Sequence, residues 1–428
     1  GDGGQRDPGR AGYRHRGAHA VHVNAFDEAR LDDLERCAFA YFIHEVDERT
    51  GLVRDNTREG APASIAGTGF ALSCYAVGAE RGYVARSEAA ARSQTALRFL
   101  WEATQSEAPD ATGWRGFFYH FLAPESGHRA RQCELSTIDS TIAIAGALTA
   151  AVYFDRDTPA DRDIRRFADA IYRRVDWAWA MAGARTVSLG WHPGTGFLTY
   201  GWQGYSAALP LYVLGLGSPT HPLPNDSYAA WTETYRWADT YGQQYLYAGP
   251  LFIHQMSHCW IDFRGIQDAY MRDKGIDYFE NSRRATYVHR AYATRNPRGW
   301  AGYTATCWGV TASDGPGPAI RSYGGRRRRF YGYHARGAPD GIDDGTLSPW
   351  AMVGSLPFAP EIVLPSLAAV DAEHPEAKHD YGYTGSFNPS FSAGAADAVA
   401  DPPGWTSPAH YPINQGPVVL MIENYRSG

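Results

Sequence analysis

The feature that most constrains this chain is an alternation between two kinds of helical segment. From Asn24 onward, Phe26, Leu31, Leu34, Phe39, Tyr41 and Phe42 recur at three- and four-residue spacing among Asp, Glu and Arg, which predicts an amphipathic helix with one wet face. The stretch from Thr68 to Gly82 is nearly all Ala, Leu, Cys, Tyr and Gly, the pattern of a helix buried on every side. The rhythm repeats. Ser87–Thr104 is charged, Ser136–Phe154 apolar, Pro159–Met181 amphipathic, Tyr205–Leu216 apolar and Asp226–Tyr241 amphipathic. An inner layer of apolar helices ringed by amphipathic ones accounts for this order, whereas a βαβ series needs β-branched strand runs that the chain lacks. The expected class is therefore all-α, an α/α barrel.

Between the helices run long stretches rich in Gly, Pro and aromatics, at 113–133, 186–204 and 296–346. Ordered loops of that length usually carry function. No Ser/Gly linker or charge block divides the chain, so the reading is a polar arm over 1–23 followed by one domain over 24–428. The 428 residues carry 40 Lys+Arg against 46 Asp+Glu, a net charge of −6 that argues against a nucleic-acid binder. The 13 Trp, 27 Tyr and 18 Phe instead supply flat amphipathic faces suited to sugar rings. No apolar run approaches membrane-spanning length. The chain opens on Gly1 rather than Met, as expected of a processed or trimmed chain, so any export signal would already be gone and the start leaves the compartment open. Five widely spaced cysteines with no CxxC predict buried small hydrophobes rather than zinc or disulfides.

Three constellations carry chemistry. In Cys133–Ser140, two acids, Glu134 and Asp139, stand where an aromatic loop ending in His120 enters an apolar helix. Those acids fit either one half of a glycosidase pair or a helix cap built from Ser136 and Asp139. The segment Trp202–Tyr212, containing Tyr205, repeats that loop-to-helix layout. In Ser257–Gly265, Asp262 and Arg264 lie amid aromatics including Trp260, and fit either sugar binding or a structural ion pair. His254 and His258 have the spacing of a zinc helix, but Gln255 replaces the catalytic glutamate, so no metal is expected. Arg326–Arg329, followed by Phe330, Tyr331 and Tyr333, is a basic and aromatic run suited to an anionic polymer or to a solvated loop.

Several blocks in order, Glu134–Asp139, Leu216–Pro222, Trp260–Gly265, Asp277–Arg284, Trp308–Ala312, Asp344–Thr346, Ser355–Glu361 and Asn414–Pro417, resemble the bacterial glycoamylase-like family. That family includes endo-β-1,2-glucanases and the transglycosylation domain of cyclic β-1,2-glucan synthases. The resemblance covers the chain from about Leu34 to its end and implies an (α/α)6 barrel. It also implies hydrolysis or transfer at β-1,2-glucosidic bonds without metal or organic cofactor, and a periplasmic or secreted location. A glucan or oligosaccharide substrate is the implied partner, with Trp202, Tyr205, Trp260, Asp262, Arg264, His120, Trp308 and Asp344 as sugar-binding positions.

Two departures bear on mechanism. Tyr205-Ser206-Ala207 stands where the family pattern reads Tyr-Asn-Glu, so Ala207 occupies the place of the expected catalytic glutamate. Asn414 stands where relatives carry an aspartate that can act as base in inverting members, which tilts the expectation toward retention. Ala207 fits an inactivating substitution, an enzyme whose acid comes from elsewhere, or a catalytically silent sugar-binding barrel. A polysaccharide lyase is a further alternative, for which His120, Tyr205 and Arg264 supply the residue types.

Overall fold

A computed structural model describes residues 24–391 and 404–428, so the expected arm over 1–23 lies outside the described residues. Twelve α-helices follow in order among them. They are α1 (Ala25–His44), α2 (Ile65–Glu80), α3 (Arg86–Glu102), α4 (Thr137–Tyr153), α5 (Pro159–Arg174), α6 (Leu209–Leu216), α7 (Asp226–Thr232), α8 (Ala269–Lys274), α9 (Tyr278–Arg295), α10 (Pro349–Val353), α11 (Pro360–Glu373) and α12 (Pro412–Ser427).

Polar side chains start many of them. The Asn24 Oδ1 accepts from the amides of Phe26 and Asp27 at 3.0 Å each, and Ser64, Ser136, Thr158, Asp268 and Asp277 cap α2, α4, α5, α8 and α9 in the same way.

The two expected layers are present. The apolar helix α2 packs between α4 and α12, α4 continues to α6, and α12 meets α10. Charged α3 and α5 pack on each other outside α2 and α4, joined by Arg86–Asp161 at 2.9 Å and Arg98–Asp163 at 3.3 Å. Glycine permits the tightest inner contact, because a Cβ on Gly146 would stand 2.0 Å from the Gly69 carbonyl oxygen and one on Gly69 would meet the backbone of Ile142. One contiguous core joins residues from Leu31 in α1 to Ile422 in α12.

The all-α expectation needs correcting in the connections. The aromatic stretches fold as short strands: 113–114, 117–119, 135–136, 190–192 and 196–197 form a five-stranded antiparallel sheet, and two-stranded pairs occur elsewhere. The helix expected over Asp226–Tyr241 stops at Thr232, and Trp237–Thr240 pairs with Gln243–Leu246 across a turn with Tyr241 at φ 52° and Gly242 at φ 80°. Positive φ at both central residues is what a two-residue hairpin requires, and here turn chemistry overrides helical periodicity. Likewise α5 ends at Arg174, and only a single 3₁₀ turn follows at Trp179–Met181.

Candidate active site

The inner helices bring their N-terminal ends together. Residues 63–64, before α2, pair with 121–122, while 135–136, before α4, pair with 118–119 and 190–191. The Ile65 amide donates to the His120 carbonyl at 3.1 Å and the His120 amide to the Glu134 carbonyl at 3.0 Å. The Trp202 indole N–H donates to the Thr137 hydroxyl at 2.9 Å, which ties the Ala207 segment to the start of α4. The Thr57 amide donates to the His410 carbonyl at 3.2 Å, joining the 54–58 loop to the start of α12.

At this end His120 stacks on Phe121 at 3.9 Å and bridges two acids, with Nδ1 at 2.9 Å from Glu134 Oε1 and Nε2 at 3.7 Å from Asp139 Oδ1. Burial alone would depress the imidazole, but Asp139 and Glu134 outweigh it and push its pKa up to about 9. The ring is thus an imidazolium at neutral pH. Glu134 is correspondingly lowered: burial opposes its ionisation, and the hydrogen bond and charge of His120 overcome it.

Asp139 meets both readings made of it. Its amide donates to the Ser136 Oγ at 3.2 Å and its carboxylate accepts from the same hydroxyl at 2.5 Å, so it completes the cap while facing His120. Asp55 is raised by burial, with His120 and Arg131 pulling it down and Asp139 pushing it up.

Beside this cluster, Arg58 bonds Asp314 at 2.5 Å and the Tyr411 hydroxyl, and Asp314 also accepts from Ser407 at 2.9 Å. Tyr333 is 55% exposed, its ring 6.1 Å from that of Tyr411. Tyr411 thus links the Tyr333 ring to the Arg58–Asp314 pair, and the Thr57–His410 hydrogen bond keeps the 54–58 loop beside the start of α12.

Other expectations land differently. Trp260 donates its indole N–H to Ser73 Oγ at 3.0 Å and packs on Phe70, part-way along α2, while Arg264 binds Asp262 at 2.8 Å and the Gly428 carbonyl at the end of α12. With Met421, Asn424 and Tyr425 these residues line an open pocket of about 600 Å³ at the far end of the barrel. A second pocket, about 790 Å³, adjoins Trp260 there between the later turns of α2, α4 and α6. The trio His120, Tyr205 and Arg264, which a lyase would need together, is therefore split between the two ends.

Trp308 is fully buried and donates to Ser366 at 3.0 Å, so it is a core residue. Asp344 is also fully buried, bound by Arg336 through two hydrogen bonds of 2.7 and 2.9 Å, and no sugar reaches it. Tyr205 packs in an aromatic cluster with Tyr235, His254 and Tyr278. Asn414 is 1% exposed, and both polar atoms of its side chain lack a hydrogen-bond partner among the described residues. Ala207 is 9% exposed just ahead of α6.

The five cysteines are free, four of them buried. His254 and His258 lie in 3₁₀ turns; His254 meets the Ala248 carbonyl and His258 the Ser282 hydroxyl, and burial lowers them to about 4 and 3. His120, Glu134 and Asp139 place one possible ligand atom each within 4.8 Å of one another. A cation there would have to displace the proton that both acids hold on the imidazole, so the cluster fits an ion pair better than a metal site.

Sequence reasoning missed Asp55, Arg58, Asp314 and Tyr411. The signal for the first two was the charged run Arg54-Asp55-Asn56-Thr57-Arg58 directly ahead of the most apolar helix.

The Glycoamylase family model, described as "putative glucoamylase", matches residues 199–428. An exo β-1,2-glucooligosaccharide sophorohydrolase (non-reducing end) of Parabacteroides distasonis is 25% identical over 437 residues, covering 94% of this chain and 55% of the relative. The chain thus spans about half the length of that curated relative. A crystal structure from Bacteroides uniformis with the same "putative glucoamylase" description superposes with a TM-score of 0.81 at 28% identity, over 95% of this chain and 93% of the other. An endo-β-1,2-glucanase of Chitinophaga pinensis, solved with sophorotriose and glucose, shares the fold at a TM-score of 0.80 and 24% identity, over 94% and 93% of the two chains. With more than half its length under the family model and the block order running through that region, the chain belongs to the Glycoamylase family.

Proposed function

We propose that this chain is a glycoside hydrolase or transglycosylase barrel for β-1,2-glucan and its oligosaccharides, of (α/α)6 architecture over 24–428, with Ala207 standing in place of its catalytic glutamate. The observation that carries the reading is the cluster at the starts of α2 and α4, which we read as the floor of a sugar cleft: His120 bridges Glu134 at 2.9 Å and Asp139 at 3.7 Å, with Glu134 lowered and nearby Asp55 raised. Glycoside cleavage needs such a split, one group to protonate the leaving oxygen and another to attack carbon or activate water. The Parabacteroides distasonis and Chitinophaga pinensis proteins, named for action on β-1,2-linked glucans, support the substrate.

In this reading a glutamate at 207 pairs with Glu134 or Asp139. A separation of about 5 to 5.5 Å gives retention and one of about 6.5 to 9.5 Å inversion. Asn414, which cannot ionise, favours retention, and a retained glycosyl intermediate can pass to a sugar hydroxyl as well as to water. Trp202 and Tyr333 offer faces for the sugar rings. His120 orients Glu134, and Asp55 is the carboxyl that burial pushes toward holding a proton. The family resemblance supports a periplasmic or secreted location.

The test compares this chain with its Ala207→Glu variant on linear β-1,2-glucan, following product size and first-formed anomer. We expect turnover in the variant at least about 100-fold above that of the chain as it stands, with formate partly rescuing the alanine form. A folded variant that leaves the glucan untouched removes the substrate assignment. Tight glucan binding with no turnover in either form supports a silent binding barrel instead, the reading that Ala207 and Asn414 together favour.

A further inference from the structure

The arginine run has a fold of its own. Ala319–Tyr323 and Arg326–Phe330 form an antiparallel hairpin closed by Gly324 and Gly325. From 315 to 339 the sequence holds six arginines and no acid, in a chain whose net charge is −6. Arg321 stands directly opposite Arg328, and like charges in register weaken a strand pair.

The two faces differ. Arg328 lies 4.6 Å over Trp300 and donates to the Arg298 carbonyl at 2.8 Å, and Arg321 lies over Phe391, so this face packs down. Arg327 and Arg329 alternate onto the other face, about 7 Å apart. Both are exposed, and neither pairs with a carboxylate among the described residues.

The hairpin is aimed. Arg329 lies 5.3 Å over Tyr331, and two residues later the Tyr333 ring stands 6.1 Å from that of Tyr411, whose hydroxyl accepts from Arg58 beside Asp314, so Arg329 is within about 14 Å of chain from that cluster. The segment cannot swing freely, because buried Arg336 donates to the carbonyls of Tyr331 and Gly332 at 3.1 Å each and is locked to Asp344. Unpaired guanidinium groups at a fixed distance from a sugar cleft are suited to oxyanions through charge-assisted, forked hydrogen bonds.

We propose that Arg327 and Arg329 form an anion-binding arm of the cleft, which selects glucan chains carrying carboxylate or phosphate substituents over the neutral polymer. This deepens the functional reading above and rests on it for the glucan. The arm itself is read independently.

Calorimetry on the full chain with linear β-1,2-glucan and with the same glucan succinylated tests it, at low and high sodium chloride. The acidic glucan is expected to bind roughly tenfold tighter at low salt, an advantage that salt removes. Arg327→Glu with Arg329→Glu should abolish that advantage and leave affinity for the neutral glucan unchanged. Equal affinity of the two glucans, or an advantage that survives the double variant, overturns the proposal. Retention on a sulfated-polysaccharide column separates the two readings: if neither glucan binds but the double variant loses retention, the glucan reading fails and the arm stands. If retention does not depend on the two arginines, the arm fails. Tighter arginine-dependent binding to duplex DNA than to the acidic glucan also overturns it.

Discussion

Two charged groups that look alike in sequence, Glu134 and Asp139 with His120, and Asp262 with Arg264, end at opposite ends of the barrel and do different things. The first sits where chain enters α4, so the cap at Ser136, the free amides of the helix start and the neighbouring entries to α2 and α12 bring three ionisable side chains against one another. The second sits beyond the last turn of α12, where Asp262 and Arg264 are half-exposed and satisfy each other and a terminal carbonyl. An acid beside aromatics is thus a poor guide to chemistry by itself. What each acid faces is the deciding fact, because the starts of α2 and α4 bring His120 and two acids from separate segments into one cluster, whereas Asp262 meets a single exposed arginine.

The largest effect expected from breaking this comparison is structural. Asp344 reads from its sequence block as a sugar ligand, but it holds the fully buried Arg336. Asp344→Ala leaves that guanidinium without its counter-charge and should cost about 3–5 kcal/mol of stability. Chemical denaturation checks it, and Arg336→Met with Asp344→Leu should recover most of the loss. A variant that keeps its stability and loses only glucan affinity would return Asp344 to the cleft.

A mid-sized effect concerns His120. With its pKa raised to about 9 from 6.5, its contribution to stability is fully present below about 6.5 and fades as pH rises through about 9. Glu134, held below its ordinary value, contributes above that value and loses its contribution as pH falls into the acid range. The pair is therefore strongest between those limits. Glu134→Gln should bring the imidazole transition, followed by its ring-proton NMR signals, well down from about 9. An unmoved transition would mean that Asp139 alone holds the proton.

Much of the fold was legible because burial imposes periodicity. α1 to α4 fall within a few residues of their expected bounds, since a helix inside a ring must be apolar all round and one outside must not. The connections were less legible. The strands at 117–119 and 190–192 are two or three residues long and paired with distant segments, and no local pattern specifies that. In the site, Glu134, Asp139 and His120 were found because they flank one helix start. Asp55, Arg58 and Asp314 join them only through the ring, and sequence separation hides that meeting.

The smallest expected effect tests the far end. Asp262 and Arg264 form an ion pair with both side chains about half exposed, and such pairs in water contribute about 0–1 kcal/mol, because the attraction is screened and the side chains lose freedom. Asp262→Asn should therefore shift the denaturation midpoint barely at all. Its affinity for β-1,2-glucan, measured beside that of Trp202→Ala, should match the unsubstituted chain, whereas loss of the Trp202 face should weaken it. If Asp262→Asn weakens glucan binding as much as Trp202→Ala does, sugar reaches the pocket of about 600 Å³ beside α12, and the barrel binds its polymer at both ends.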